Sequence, residues 1–146
     1  MTLADWLNSG WLKAHTTSAA EVTALLEKVE RDIAEAGKSE ISADWRLAIA
    51  YNACLGCATV ALRVSGYRAP EGDGHHYRTI ESLRFTLKPE AGLIPTLHAF
   101  RKKRSIVSYD AAGTVSETEV AEVLKLAREL VKRLQDWLRA HHPELL

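Results

Sequence analysis

Residues 42–64 read SADWRLAIAYNACLGCATVALRV, and this stretch decides the fold. On a helix its large apolar side chains point in several directions instead of along one stripe, as Leu47, Ile49 and Leu62 do. A helix that is apolar almost all round lies at the centre of a bundle, or is shared between a core and a partner. Gly66 is a typical C-terminal stop for such a helix.

One narrow face of this helix instead carries polar and small groups: Trp45, Asn52, Gly56, Thr59 and Arg63. A small bundle that leaves such a face uncovered is expected to bury it against a second copy of itself, so we predict a homodimer. Asn52 needs a partner in apolar surroundings, because a buried unsatisfied amide costs roughly 1–3 kcal/mol. It is either satisfied within the bundle or contributes a polar group to a binding cleft.

The rest of the chain also favours helices, because Pro and Gly are sparse and apolar–polar alternation is missing. The pairs Ser18/Glu21 and Ser116/Glu119 have the spacing of capping boxes, and Asp73 can cap the helix that follows it. The predicted helices cover residues 3–12, 18–36, 42–64, 75–87, 91–108 and 116–140. We therefore predict an all-α, up-and-down bundle of four to six helices in a single domain, residues 1–146, with a short N-terminal extension over 1–16 and a core over 17–140.

Composition excludes several classes of protein. The 146 residues include 19 basic and 19 acidic side chains, so no global charge draws the chain to nucleic acid or to an anionic membrane. No apolar run approaches the roughly 18 residues that span a bilayer, and the first residues lack the pattern of a signal peptide. We expect a cytoplasmic protein that does not contact membranes.

The only two cysteines, Cys54 and Cys57, form a C-x-x-C sequence. Redox pairs of this spacing lie at a helix N-terminus, whereas these two lie deep inside the predicted helix 42–64. No second pair of Cys or His residues lies nearby to complete four metal ligands. The two side chains are therefore expected to pack in the core, and we predict neither a metal nor a cofactor.

Residues 100–110 read FRKKRSIVSYD and place a basic run inside an apolar helical pattern. At about 100° per residue, Arg104 falls within the apolar stripe of its helix, between Phe100 and Val107. A cation on a buried face is costly unless it is paired or lines a polar cleft. Arg104 therefore either pairs with a carboxylate or a carbonyl inside the protein or dimer, or it binds an anion. Candidate ligands of a phosphate or nucleotide are Asn52, Arg101, Arg104, Ser105 and Ser108.

Tyr109 and Asp110 end the same helix and either contact a ligand or lock the turn into the last helix. Together with Arg104 they are the candidates for a catalytic role. Tyrosine with an ordinary pKa is a poor general base, and a carboxylate such as Asp110 is a weak one. His75 and His76 are adjacent on a helix and point about 100° apart, so they are not expected to chelate one ion.

Two segments carry a resemblance to a known family. The first comprises residues 50–53 (AYNA), 61–68 (ALRVSGYR) and 74–76 (GHH); the second runs over 101–110 and into the Ser-capped last helix. In order and spacing they resemble the HEPN domains (higher eukaryotes and prokaryotes nucleotide-binding) over residues 17–140. The resemblance implies a dimeric bundle of four or five helices. In the family's ribonucleases it implies metal-independent RNA cleavage by an Arg and a His of one motif.

The resemblance also implies a place in a toxin–antitoxin or defence-type system, in which some members pair with a nucleotidyltransferase. In those members the motif extends to H-x-Y, where this chain reads Val107-Ser108-Tyr109. Arg101 or Arg104 corresponds to the motif arginine, but positions 106–111 contain no histidine. The residues therefore favour a non-nucleolytic member that binds a nucleotide, RNA or a protein. The alternative is an active ribonuclease with an atypical Arg…Tyr motif.

Overall fold

The structure, a computed structural model, describes residues 1–109 and 113–146. Over these residues the chain forms six α-helices: α1 (Leu3–Asn8), α2 (Ala19–Ala36), α3 (Ala43–Val64), α4 (His75–Glu81), α5 (Leu93–Tyr109) and α6 (Glu117–His141). Two short strands pair antiparallel, β1 (Lys13–Ala14) and β2 (Tyr67–Arg68). Single 3₁₀ turns follow α4 and α6 at Ser82–Arg84 and Pro143–Leu145. The predicted all-α bundle is confirmed.

The helix boundaries follow the predicted caps in two cases and not in a third. The hydroxyl of Ser18 accepts a hydrogen bond from the Glu21 backbone, and Ser116 with Glu119 forms a complete capping box. The prediction that Asp73 caps the next helix is wrong, because Gly74 occupies the N-cap position of α4 and supplies no side chain. The α4 helix is also shorter than predicted, since its last turn tightens into a 3₁₀ turn.

Helix α3 is the centre of the bundle and packs against α2, α4, α5 and α6. Most of the apolar side chains round it are buried, including Leu47, Tyr51 and Val60 at 0 % exposure. Cys54 and Cys57 are also fully buried and are free thiols, which confirms that they pack in the core. Burial raises the pKa of Cys57 to about 12, so this thiol is not poised for redox chemistry.

Contacts along α3 fix the directions of its neighbours. The end of α2 meets the start of α3, where Arg46 donates to the carbonyl of Ala36, so these two helices are antiparallel. Helix α6 runs parallel to α3, because contacts between them advance along both helices in the same direction. Arg46 pairs with Glu117 at the start of α6, and Cys54, further along α3, contacts the carbonyl of Val123, further along α6. Helix α5 runs antiparallel to α3, since Asp44 at the start of α3 accepts a hydrogen bond from the backbone of Gly113, just beyond the end of α5, while Arg104 lies over Tyr51 further along α3.

By length and composition α3 could cross a membrane, because one 18-residue window of it has a mean hydropathy of 1.5. It contains no uninterrupted apolar run of that length, because Arg46, Asn52 and Arg63 interrupt the apolar residues. Some 61 % of that window is buried inside the bundle, as in the core helix of a helical protein. The apolar character of α3 is therefore accounted for by its four helical neighbours.

The face of α3 that was predicted to meet a second copy is partly filled by the same chain. A Cβ added to Gly56 would lie 2.6 Å from Cγ2 of Val29, so the glycine allows α2 to approach closely. The hydroxyl of Thr59 donates to a carbonyl of its own helix. Trp45 is left 69 % exposed. The homodimer stays a prediction, which light scattering against the monomer mass of 16.2 kDa would decide.

The N-terminal segment packs across the α3–α4 connection and holds α4 in place. The predicted helix over 3–12 ends at Asn8, and the chain continues into β1, which pairs with β2. The guanidinium of Arg78 on α4 donates to the carbonyl of Trp11 at 3.2 Å and lies over its ring at 5.4 Å. The segment thereby fixes one wall of the cleft described next.

Candidate functional site

The α5 helix brings Arg101 and Arg104 to one side of the molecule, one turn apart. The predicted apolar stripe is confirmed, since Leu97, Phe100 and Val107 are buried at 0 %, 7 % and 8 % exposure. Arg104 lies within this stripe and is half-buried. The same packing that buries the stripe therefore also holds the guanidinium of Arg104 at a fixed place.

Arg104 forms an ion pair with none of the carboxylates in the part of the chain that the structure describes. Its guanidinium carbon lies 5.6 Å from the centre of the Tyr51 ring, a cation–π contact from α5 to α3. Its Nε atom is buried and has no hydrogen-bond partner among the described residues. The internal carboxylate that would make Arg104 a purely structural residue is thus not found within these ranges.

The α4 helix brings His76 to the same place. Gly74 precedes the helix with φ of +82°, a left-handed backbone that L-residues rarely adopt, and this bend points the first turn toward α3 and α5. Nδ1 of His76 lies 3.1 Å from the hydroxyl of Tyr51, and the imidazole tautomer decides which of the two donates. When His76 carries its proton on Nδ1, its Nε2 atom is a free acceptor.

Electrostatics keep both of these groups uncharged near neutral pH. Burial and the positive charges of Arg104 and Arg101 lower the pKa of His76, with His75 adding to the effect. Burial raises the pKa of Tyr51 well above its usual range, despite the two nearby arginines. An uncharged imidazole and a protonated phenol therefore lie beside two cations.

Arg101 is held by a chain of contacts that leads away from the cleft. Its Nε–H donates to Nδ1 of His98 at 3.3 Å, and Nε2 of His98 donates to Oε2 of Glu81 at 2.7 Å. The ring of Tyr77 stacks on His98 with centroids 4.7 Å apart, and the guanidinium of Arg101 lies over the same tyrosine ring at 5.6 Å. With Nε engaged in this way, the two terminal nitrogens of Arg101 remain for other partners.

These groups surround an open cleft of about 540 Å³ between α4, α5 and the loop before α4. Its lining is polar and comes from both sides: Glu71, Gly72, Asp73, Gly74, His75, His76, Tyr77, Arg101, Arg104 and Ser105. The carboxylates of Glu71 and Asp73 are exposed and form no ion pair with the two arginines. The cleft thus presents two arginines on the α5 side and two carboxylates, which accept hydrogen bonds, on the loop side.

A second depression, of about 710 Å³, lies between α6 and the start of α5. It is lined by surface charges of both signs, and its arginine, Arg133, is already ion-paired with Glu90. Within residues 1–109 and 113–146 no group of three His, Cys, Asp or Glu side chains is placed to hold a metal ion. The α4–α5 cleft is therefore the stronger candidate site.

The structure brings together part of the predicted set. Arg101, Arg104 and Ser105 line the cleft. Asn52 does not, although its neighbour Tyr51 contacts two residues of the site. The side chains of the predicted Ser108 and Tyr109, and the whole of Asp110, lie outside the described part of the structure. Lys103 lies 3.6 Å from Glu119 and does not line the cleft.

The residues that sequence reasoning missed are Tyr51, His76 and His98. Tyr51 reads as one more core aromatic of α3, and His76 as a residue that makes contacts at the start of a helix. One signal was available for His76, because it follows a Gly-Asp-Gly loop on a short helix between two basic segments. Its contact with Tyr51 joins residues 25 positions apart, which periodicity within one helix does not reveal.

Comparison with protein-family models, with curated proteins and with solved structures gives no match for this chain. The geometry and electrostatics of the cleft are therefore the basis on which a function is inferred.

Proposed function

We propose that the α4–α5 cleft binds the phosphate group of a nucleotide or of RNA. The observation that carries this proposal is Arg104, a half-buried cation whose buried Nε atom lacks a hydrogen-bond partner within residues 1–109 and 113–146. A protein does not normally keep a guanidinium in an apolar stripe without a compensating anion. A bound phosphate would supply that anion at the open side of the cleft.

The neighbouring groups fit the rest of such a ligand. Guanidinium groups form forked hydrogen bonds with phosphate oxygens, and Arg101 lies one turn from Arg104 on the same side of α5. The hydroxyl of Ser105 is exposed at the same wall. The carboxylates of Glu71 and Asp73 on the opposite wall are acceptors for sugar hydroxyls or base amino groups. A nucleotide carries both kinds of group, whereas inorganic phosphate carries one.

Arg104→Ala tests the proposal directly. The change removes a charge-assisted contact worth roughly 1.5–3 kcal/mol, so the affinity for a short RNA or a mononucleotide should fall by about one to two decades. Binding is measured by fluorescence anisotropy in low-salt buffer, and circular dichroism checks that the helices remain. Arg133→Ala is the matched control, because it removes a surface arginine of equal charge outside the cleft. Equal affinities for wild type and Arg104→Ala would exclude the proposal.

A second candidate function, metal-independent RNA cleavage, is favoured by one observation. His76 is an imidazole whose pKa is lowered by burial and by the adjacent cations, so it is neutral and able to accept a proton near pH 7. In such a reaction His76 would take the proton of a 2′-hydroxyl. That oxygen would attack the adjacent phosphorus to form a 2′,3′-cyclic phosphate, and the bond from phosphorus to the 5′-oxygen would break. The leaving 5′-oxygen would take a proton from water, while Arg104 would stabilise the negative charge on the phosphate oxygens.

The same RNA, incubated with protein in the presence of a chelator, separates the two candidates. Cleavage that disappears in both His76→Ala and Arg104→Ala, from protein cleared of contaminating nuclease, would establish the enzyme. Binding without cleavage would leave the cleft as a binding site only. Tyr109→Phe tests the atypical Arg…Tyr motif in the same assay.

The resemblance to HEPN domains extends the proposal to the cellular role. We propose a cytoplasmic component of a toxin–antitoxin or defence-type pair, whose partner is a nucleotidyltransferase-type protein. Support comes from the motif helix with its two arginines and from the order of the helices. An adjacent nucleotidyltransferase gene and co-purification of its product with this chain would support the pairing, and their absence would count against it.

A further inference from the structure

We propose that His98, held by Glu81, is a positioning residue for Arg101, and that ligand binding in the cleft therefore weakens when His98 takes up a proton. The inference rests on the proposed function, since Arg101 matters here as a ligand of the bound phosphate. His98 itself does not line the cleft. It acts through the direction in which it holds the guanidinium of Arg101.

The geometry defines one tautomer of His98. Oε2 of Glu81 lies 2.7 Å from Nε2, and a carboxylate only accepts hydrogen bonds, so Nε2 carries a proton. Although partial burial opposes it, hydrogen bonds from Arg84 and His98 lower the pKa of Glu81, which keeps this carboxylate charged. In neutral His98 the remaining nitrogen, Nδ1, then has a free lone pair.

That lone pair is what holds Arg101. The Nε–H group of Arg101 points at Nδ1 of His98 at 3.3 Å, and an arginine Nε is always a donor. A protonated His98 would carry hydrogens on both ring nitrogens, so two donors and two positive charges would face each other. A protonated His98 therefore cannot accept from Arg101, and the contact requires the neutral imidazole.

The contact between His98 and Arg101 is held in place by buried neighbours. The side chains of His98 and Glu81 are only 14 % and 13 % exposed. Tyr77 from α4 contacts both His98 and Arg101, because its ring stacks on the imidazole and lies under the guanidinium. The charged and titratable groups packed against His98 are thus Glu81 and Tyr77 of α4, Arg84 of the following turn through Glu81, and Arg101 of α5.

Two other histidines act in the opposite sense. Protonation of His75 or His76 adds positive charge to the cleft and strengthens anion binding at low pH. The pH profile of wild type alone therefore does not isolate His98. A variant that keeps both hydrogen bonds but does not titrate is needed.

His98→Gln is that variant. Its amide can donate to Glu81 and accept from Arg101, and it carries no titratable group. The probe is a dinucleoside monophosphate, whose single phosphodiester stays ionised throughout the range. We expect the ratio of the wild-type Kd to the His98→Gln Kd to be near one at the alkaline end of a pH series and to rise about two- to tenfold toward its acid end, the range that ordering one long side chain supplies. A ratio that stays flat or falls would overturn the inference.

His98→Phe keeps the stacking on Tyr77 but removes both hydrogen bonds. It should weaken probe binding about two- to tenfold at the alkaline end of the series, where His98→Gln matches wild type. A wild-type affinity in His98→Phe would show that Arg101 needs no positioning.

A ligand-free measurement distinguishes failure of this inference from failure of the proposed function. The ¹H–¹⁵N signal of Arg101 Nε should be protected from exchange while His98 is neutral and should broaden as His98 titrates, with no such change in His98→Gln. If this signal behaves as expected but the probe does not bind wild type, the positioning contact is real and the phosphate-binding proposal fails. If the signal shows no dependence on His98, the inference fails whatever the cleft binds.

Discussion

Arg63 and Arg104 are two arginines of the same kind in two different settings. Each lies on a helix of the bundle, and each has a buried Nε atom without a hydrogen-bond partner in the part of the chain that the structure describes. Arg63 reaches a carboxylate, since its Nη1 atom lies 3.4 Å from Oε2 of Glu21. Within the part of the chain that the structure describes, Arg104 contacts the face of the Tyr51 ring and no carboxylate. The distance to a carboxylate, not the degree of burial, is therefore what distinguishes the two arginines.

The two arginines have neighbours of different charge: Arg63 lies beside a carboxylate, whereas Arg104 lies near a neutral imidazole. Although burial opposes it, hydrogen bonds from His15 and Thr17 and the charge of Arg63 lower the pKa of Glu21, so opposite charges stabilise one another there. In the cleft, burial and the nearby positive charges lower the pKa of His76, so protonation of this imidazole is disfavoured. Glu21 thus compensates the charge of Arg63 within the chain, whereas Arg104 has no carboxylate partner among the described residues.

The largest expected effect comes from making the cleft resemble the Arg63 cluster. His76→Glu places a carboxylate beside Arg104 and Tyr51, which gives the cation an internal partner and repels an incoming phosphate. Since like charges in contact cost several kcal/mol, nucleotide affinity should fall by roughly a hundredfold or more. The measurement is the same anisotropy titration, with thermal unfolding as a check on the fold.

His76→Gln is the control for this change. The amide preserves a hydrogen bond to Tyr51 and adds no charge, so its affinity should stay near that of wild type. A loss in His76→Gln equal to that in His76→Glu would show that the imidazole itself, and not the charge balance, governs binding.

Arg63→Ala should give the reverse pattern, a cost in stability without a cost in binding. It removes one partner of Glu21, whose side chain is 30 % exposed and keeps its contacts with His15 and Thr17. Because solvent and these contacts remain, the free energy of unfolding should fall by about 1 kcal/mol. In a chain of this size the melting temperature then drops by about 2–4 °C. A change in nucleotide affinity in this variant would contradict the division between the two clusters.

The smallest expected effect is a shift in one titration. Removing the positive charge in Arg104→Ala takes away one of the causes that lower the pKa of His76, so this pKa should rise toward its ordinary value. Burial still lowers it, so the return is partial. NMR titration of the His76 ring protons measures the change, and Arg63→Ala should leave it in place. An unmoved His76 in Arg104→Ala would mean that the two groups do not interact.

Much of the bundle could be predicted from the sequence, because its helices follow local rules. The stripe that contains Arg104 is a matter of spacing within one helix, and the structure places Phe100 and Val107 as that spacing requires. The Ser116 cap is likewise decided by residues three apart. The apolar wrap of 42–64 predicted a central helix, and α3 is central.

The parts that failed depend on contacts between distant residues. From the spacing within α3 alone, Gly56 is predicted to lie on an uncovered face. The structure instead packs Val29 of α2 against it, and that contact leaves no room for a side chain at position 56. Asp73 is a good cap by type, yet the left-handed turn at Gly74 places the glycine at the N-cap instead. His76 joins the site only because α4 folds against α3 and α5. Nothing in the spacing of one helix encodes that meeting.

The central place of α3 also has a consequence for synthesis on the ribosome. Its cover comes from both directions along the chain, since α2 precedes it while the contact of Cys54 with Val123 on α6 spans 69 residues. Until α6 emerges, the α6-facing side of the nascent α3 has no partner from its own chain, and exposed apolar surface of this kind is prone to aggregation. The stretch that decides the fold is thus made early and covered late.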